Sequence, residues 1–501
     1  MSTNAPSPAI EMNASERSTA GLSDFSDRLP PMLVKELRQG LRAKTFVGVF
    51  LGLQLFLAIV MLFATTASGL DGAGEAVSRI IFFFFSLAVL VVQPLRAMNA
   101  LYSEIKTTTI DMMVLTRLNA RRIVAGKWAA IVGQTLLLFV SIVPYLILRY
   151  FFGGMNLFAE LLALGSLFLL SACLTAFNVG ISSNAAIIVR GIFPLALAVT
   201  MFFFMGFMME EFDDFMEFFA LEDPTYIAVY FGLLIGALYL AWTAFGLGVG
   251  AIAPVSENHS TLNRLVTLGT MIVVGLILIL ADADTEMIPF LIGAVAFPGL
   301  VLALTEANFL MPRVTIPFVK RGVIGRFLGA FLYPCWTSGV HYTALLAVIV
   351  LGTGAMIAGQ PSIRGYFGAE EFTVLCSLFG SALFPALFLA RFQNRIQNRL
   401  GIYFAILIGS FALMLALIAV AESTNADLSM WIFCWLPPVH LYMVDNHKFG
   451  DEITMMISLI FTGLYLGALL IHGWKHFKTI RLAEEEAIST YFTPTDTAKK
   501  S

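Results

Sequence analysis

A polar run from Glu104 to Lys127 lies between two long apolar segments and gathers groups able to form ion pairs and hydrogen bonds. Glu104 and Asp111 bring carboxylates, Thr108 and Thr116 hydroxyls, and Arg121, Arg122 and Lys127 cations, with Gly126 beside the last. At an aqueous membrane face such a set does contact chemistry, pairing its charges with another surface or with headgroups. It is no nucleotide site. Gly126-Lys127 is followed by Trp128 and lacks the upstream glycine of a G-x-x-x-x-G-K-[ST] phosphate loop.

As a helix, the first part of the run puts Ile105, Met112 and Met113 on one side and Glu104, Thr108 and Asp111 on another. That pattern predicts a short amphipathic helix lying flat on the membrane. Thr116 and Asn119 are turn and cap residues, and Arg121, Arg122 and Lys127 then fall at the headgroup level as the next apolar run begins. The plain alternative is a solvated loop whose cations only set topology. A second interfacial helix is expected over residues 31–45, where Leu33, Leu37 and Leu41 recur every four residues and Lys35, Arg38, Arg42 and Lys44 can face headgroups.

The order Glu104, Thr108, Ile110-Asp111, Thr116, Arg121-Arg122-Ile123-Val124 and Gly126-Lys127 resembles the loop after the second span in permeases of ATP-binding cassette (ABC) transporters of the type-2, exporter-like class. The phrase Lys35-Glu36-Leu37-Arg38-Gln39 is similar to the elbow helix that opens those permeases. The resemblance implies that residues 100–127 form a coupling loop docking into a separate ATPase subunit, and that the partner, not this chain, holds ATP and magnesium. It also implies export across a bacterial inner membrane, with a second permease subunit or a second copy of this chain completing the transporter. No metal or cofactor is expected here.

These residues must be positioned by membrane helices. Of 501 residues, 58% are hydrophobic and 13% charged, about half the charged share of a soluble protein, which predicts an all-α polytopic membrane protein. A net charge of -3 argues against a nucleic-acid partner. Cys173, Cys335, Cys376 and Cys434 lack metal-like spacing and read as small buried hydrophobes. Residues 1–30, rich in Ser, Thr, Ala and Pro, read as a disordered cytoplasmic tail with no cleavable signal. About twelve apolar runs follow: six in a permease-like region 46–253, six in a second region 254–475, then a cytoplasmic tail 476–501. The basic loops alternate with acidic ones, which puts both termini in the cytoplasm.

Within the spans no ionisable group is central. Glu160, Arg190, His341 and Arg391 fall near ends, where snorkelling suffices, so coupling-ion chemistry is not expected. Glu210 to Asp223 predicts a short external helix whose Phe212, Phe215 and Phe219 face the headgroup zone, a place which in the resembled family adjoins the exit of the path. Trp431 to Val444, split by Pro437 and Pro438, predicts an external interfacial or re-entrant segment. The loop at 305–339 holds the coupling position of the second half without repeating the Glu104 to Lys127 pattern, so that half is either a degenerate repeat or an accessory region. His440, Asp445 and His447 more readily cap a loop than bind a metal. The leading expectation is the membrane subunit of an ABC exporter; the alternative is a membrane-embedded enzyme or assembly factor acting on lipid or polyprenyl-linked substrates, for which Glu210 to Asp223 is the candidate acidic cluster.

Overall fold

In hydrocarbon the backbone must satisfy its own hydrogen bonds, and a long apolar run does so as a helix. The computed structural model describes residues 30–66, 73–107, 119–151, 156–254, 257–281, 284, 286–358, 367–392, 396–424, 431–445 and 450–491. The expected tail 1–29, the loop positions Thr108, Asp111 and Thr116, His447 and residues 492–501 lie outside these. The described chain is an all-α polytopic membrane protein with twelve helices long and apolar enough to cross a membrane.

The amphipathic helix α1 (Pro31–Leu41), at the place of the expected elbow helix, precedes α2 (Lys44–Thr66), the first span. The second, α3, starts at Ala73–Ser86, passes through a π turn at Leu87–Val92 and continues over Gln93–Arg96; the short α4 (Tyr102–Lys106) follows. Then come α5 (Ala120–Tyr150), α6 (Leu157–Ile181), α7 (Phe193–Glu210, entered through a π turn at Ile188–Ile192), the short α8 (Phe212–Ala220) and α9 (Pro224–Ile252). The second half runs α10 (Ser260–Leu280), α11 (Met287–Thr305), short helices α12 (Pro312–Val319) and α13 (Gly322–Leu332), α14 (Trp336–Ile357), α15 (Ala369–Arg391), α16 (Arg399–Thr424), the short α17 (Val439–Asp445) and α18 (Asp451–Tyr491).

The two halves share one element order: two spans, a connection on the face rich in Lys and Arg, three spans, a short helix on the opposite face, and a last span. Packing repeats too, because α6 against α9 is the broadest contact of the first half and α15 against α18 matches it in the second. Both halves bring backbones close through glycine. A Cβ on Gly180 would stand 1.9 Å from Ala244 O, and one on Gly339 2.1 Å from Ala303 O. The face carrying α1, α4, α12 and α13 is called the basic face below, and the other the acidic face.

Two expectations change. The aromatic residues of α8 do not face the headgroup zone: Phe212 (3% exposed) and Phe219 are buried, and Phe212 and Phe215 pack edge-on against Phe82 of α3. Covering a core of aromatic rings buries more apolar area than the interface offers. Glu160 does not snorkel either. It is buried 3.5 Å from Arg149, itself 1% exposed, with Ser78 Oγ accepting from Arg149 Nε at 2.6 Å. Within the expected interfacial or re-entrant segment Trp431 to Val444, α17 is buried, with Val439 and Met443 in a cluster with Phe384 and Leu417 and His440 buried beside them. Residues 476–491 of the expected tail continue α18 as helix.

Candidate functional site on the basic face

The second span carries Pro94 directly after a π turn at Leu87–Val92. Pro94 cannot donate to the helix ladder and the π turn shifts its register, so carbonyls there lose their usual partners. From α6, Ser171 Oγ donates to Val89 O at 2.5 Å, and Asn178 Nδ2 donates to Pro94 O at 2.9 Å beside the Ala97 N–H. Leu101 N–H then donates to Ser182 Oγ at 3.1 Å. These bonds set the angle at which the chain carries Glu104 onto the basic face.

Lys127, about two turns into α5, is the hub of what they assemble. Its Nζ lies 2.8 Å from Glu104 Oε1 and 3.3 Å from Glu36 Oε1, and the three side chains are only 7, 15 and 18% exposed. One ammonium thus joins α1, the end of the second span and the start of the third. Gly126 makes room for it: a Cβ there would meet Met32 Cγ at 2.9 Å, so α1 lies directly on α5. Deeper in, Arg96 donates to Gln93 Oε1 at 2.7 Å and Gln134 Oε1 at 2.5 Å, with its guanidinium over the Phe46 ring. Gly40 closes this layer, for a Cβ there would reach Gln134 Nε2 at 2.0 Å.

The site also reaches the second half. Asn119 caps α5 by accepting from Arg121 N–H at 3.2 Å, and Arg121 and Arg122 are exposed. The Arg121 guanidinium is 3.5 Å from His259 Nδ1, whose Nε2 is 3.0 Å from Glu257 Oε2. Arg190 sits over the Tyr102 ring at 3.3 Å. Between the halves lies a cleft of about 300 Å³ lined by Asn184, Gly250, His259, Asn263, Arg264 and Glu306 among others. Arg264, 3% exposed in its side chain, bonds Glu306 Oε2 at 2.5 Å, Phe331 O at 2.6 Å and Ser338 Oγ at 2.9 Å.

Of the residues singled out by sequence, Glu36, Glu104, Gly126 and Lys127 come together. Lys35 is exposed and 4.0 Å from Glu36, and Arg38 lies on the same helix. Lys127 was expected at the headgroup level, which is corrected: two carboxylates hold it inside the protein, where an unpaired ammonium would be too costly. Gln93, Arg96, Gln134, Arg149 and Arg264 were missed. The available signal was polar residues near the ends of apolar runs, whose partners lie far along the chain.

Among the described residues no group of three or more His, Cys, Asp or Glu is placed to hold a metal ion. Burial pushes the Cys335 thiol up to about 11, which makes it a packing group rather than a nucleophile. The arrangement on the basic face can transmit displacement, since moving any one of three helices strains a shared ion pair. No family model, curated protein or solved structure matches the chain.

Proposed function

We propose that this chain is the membrane-spanning permease subunit of a type-2 ABC exporter in a bacterial inner membrane, with both termini and the basic face in the cytoplasm. The observation that carries the reading is the Lys127 hub, which ties the elbow helix to both spans flanking the polar run. A separate ATPase dimer, holding ATP and magnesium, docks on the residues around Arg121 and Arg122. Closure of that dimer displaces the loop, and the ion pairs pass the displacement to α1, α3 and α5 together. Access then switches as a population shift, because the ATPase binds one arrangement of these helices more tightly. The shared element order of the halves supports a duplicated permease, with the second half serving as the pseudo-subunit.

The test is purification from native membranes. A photocrosslinker at Arg122 should capture an ABC ATPase, and Arg121→Glu with Arg122→Glu should abolish co-purification while leaving the unfolding temperature unchanged. The reading fails if Arg122 is labelled only from outside the cell, or if no ATP-hydrolysing protein is captured.

A further inference from the structure

Most amphipathic helices bury large apolar side chains and expose small or polar ones. The helix α13 does the opposite. Its inner face is Gly325 and Gly329, with Leu332 buried only at the last turn: a Cβ on Gly325 would stand 2.0 Å from Phe318 O, and one on Gly329 2.4 Å from Tyr333 Cζ. The turn from α12 into α13 passes through Gly322 at φ 70, a left-handed conformation that favours glycine. The last turn is tied down, with Phe331 O accepting from Arg264 and Leu332 O from Thr261 Oγ1 at 2.7 Å. What remains outward is Val323 at 84% exposure, Ile324 at 73%, Phe327 at 64% and Leu328. They form one stripe at helical spacing.

Along residues 307–369 the charge is of one sign, and the nearest acid from elsewhere is Glu484 of α18, which faces Arg326 and binds Tyr333 OH at 2.8 Å. No Asp or Glu occurs from 307 to 369, whereas Arg313, Lys320, Arg321 and Arg326 cluster at α12 and α13, and all four are exposed. The stripe also borders apolar surface of a span: α13 packs beside α10, whose Leu262 and Leu265 are exposed. An apolar stripe edged by cations and continuous with a span's outer surface matches a helix seated at the acyl–headgroup boundary.

We infer that α13 is a lipid-anchoring helix that seats Val323, Ile324 and Phe327 among acyl chains of the leaflet on the basic face and recruits anionic phospholipid through Arg313, Lys320, Arg321 and Arg326. The occupant is lipid, not a protein partner. On the permease reading this makes the halves unequal, since the second half spends its basic-face helix on the membrane. The inference does not depend on that reading.

The full chain is reconstituted in nanodiscs of phosphatidylcholine alone or mixed with phosphatidylglycerol, with a nitroxide on Phe327→Cys and the signal of the labelled unsubstituted protein subtracted. The label should be open to oxygen and shielded from a water-soluble nickel chelate. In a second variant all four cations become glutamine, and the phosphatidylglycerol share of co-purified lipid should fall roughly threefold or more. Access of nickel to the label overturns the inference by placing the face in water. Shielding from both reagents overturns it in favour of a covering protein, an ATPase or a second copy. An unchanged headgroup preference overturns the anionic part. Should Phe327→Cys fail to fold, Val323→Cys gives the same reading from the most exposed position.

Discussion

Lys127 Nζ and Glu104 Oε1 stand 2.8 Å apart at less than a fifth of their free exposure, although they open and close the polar run from opposite ends. With Glu36 as a second acceptor, the site holds two carboxylates against one buried ammonium, the exposed Lys35 standing 4.0 Å from Glu36. Removing one member of a buried pair strands the other charges, so the cost exceeds the worth of the bond itself.

Lys127→Met is therefore expected to destabilise the chain by about 3–5 kcal/mol. Adding Glu36→Gln and Glu104→Gln should restore much of that loss. Thermal unfolding of the detergent-solubilised single, double and triple variants measures both, and an additive series would mean that the charges do not interact.

On the acidic face, Arg149 and Glu160 make a parallel case. Glu160→Gln leaves a guanidinium 1% exposed with Ser78 in place of a carboxylate, and should cost about 3–5 kcal/mol. Arg149→Met combined with Glu160→Leu should lie near the parent, since apolar groups of similar size replace buried pairs at little cost. A double variant as unstable as the single would show that the pair has another partner.

The glycine contacts rank themselves. Gly180→Ala and Gly339→Ala drive a methyl into backbone carbonyls of α9 and α11 and are expected to cost at least roughly 1–3 kcal/mol each. Gly126→Ala crowds the Met32 side chain, and its backbone contact, Leu33 N at 3.6 Å, is an ordinary one, so its loss should be smaller. Unfolding temperatures that fail to separate the first two from the third would contradict the close approach of α6 to α9 and α11 to α14.

His440 supplies a pH dependence. It is fully buried on α17, its Nε2 donates to Cys434 O at 2.6 Å, and burial lowers its pKa from the usual 6.5. The unfolded chain then binds the proton more tightly than the folded chain. Stability is fully present above pH 6.5 and is lost as pH falls through the lower folded value. The unfolding temperature should fall on acidification below 6.5, and His440→Gln should flatten that fall. Equal slopes for the two proteins would remove His440 as the cause.

The helices were legible from the sequence because a run of some twenty apolar residues has one way to satisfy its backbone in lipid, and that constraint is local. The twelve spans, the amphipathic helix over Pro31–Leu41 and the short helix within Glu210 to Asp223 followed from length, periodicity and the sign of flanking charge. Tertiary structure decided where the exceptions went. Lys127 and Glu160 sit near span ends, where sequence allows a side chain to reach water, and only the positions of Glu36, Glu104 and Arg149 show that each is turned inward and neutralised. The aromatic face of α8 was visible as a face, but its burial depends on Phe82 of α3, which lies far before it in the chain. Periodicity identifies which residues share a side; which side meets protein, lipid or water is set by partners distant in the chain, as the outward stripe of α13 shows.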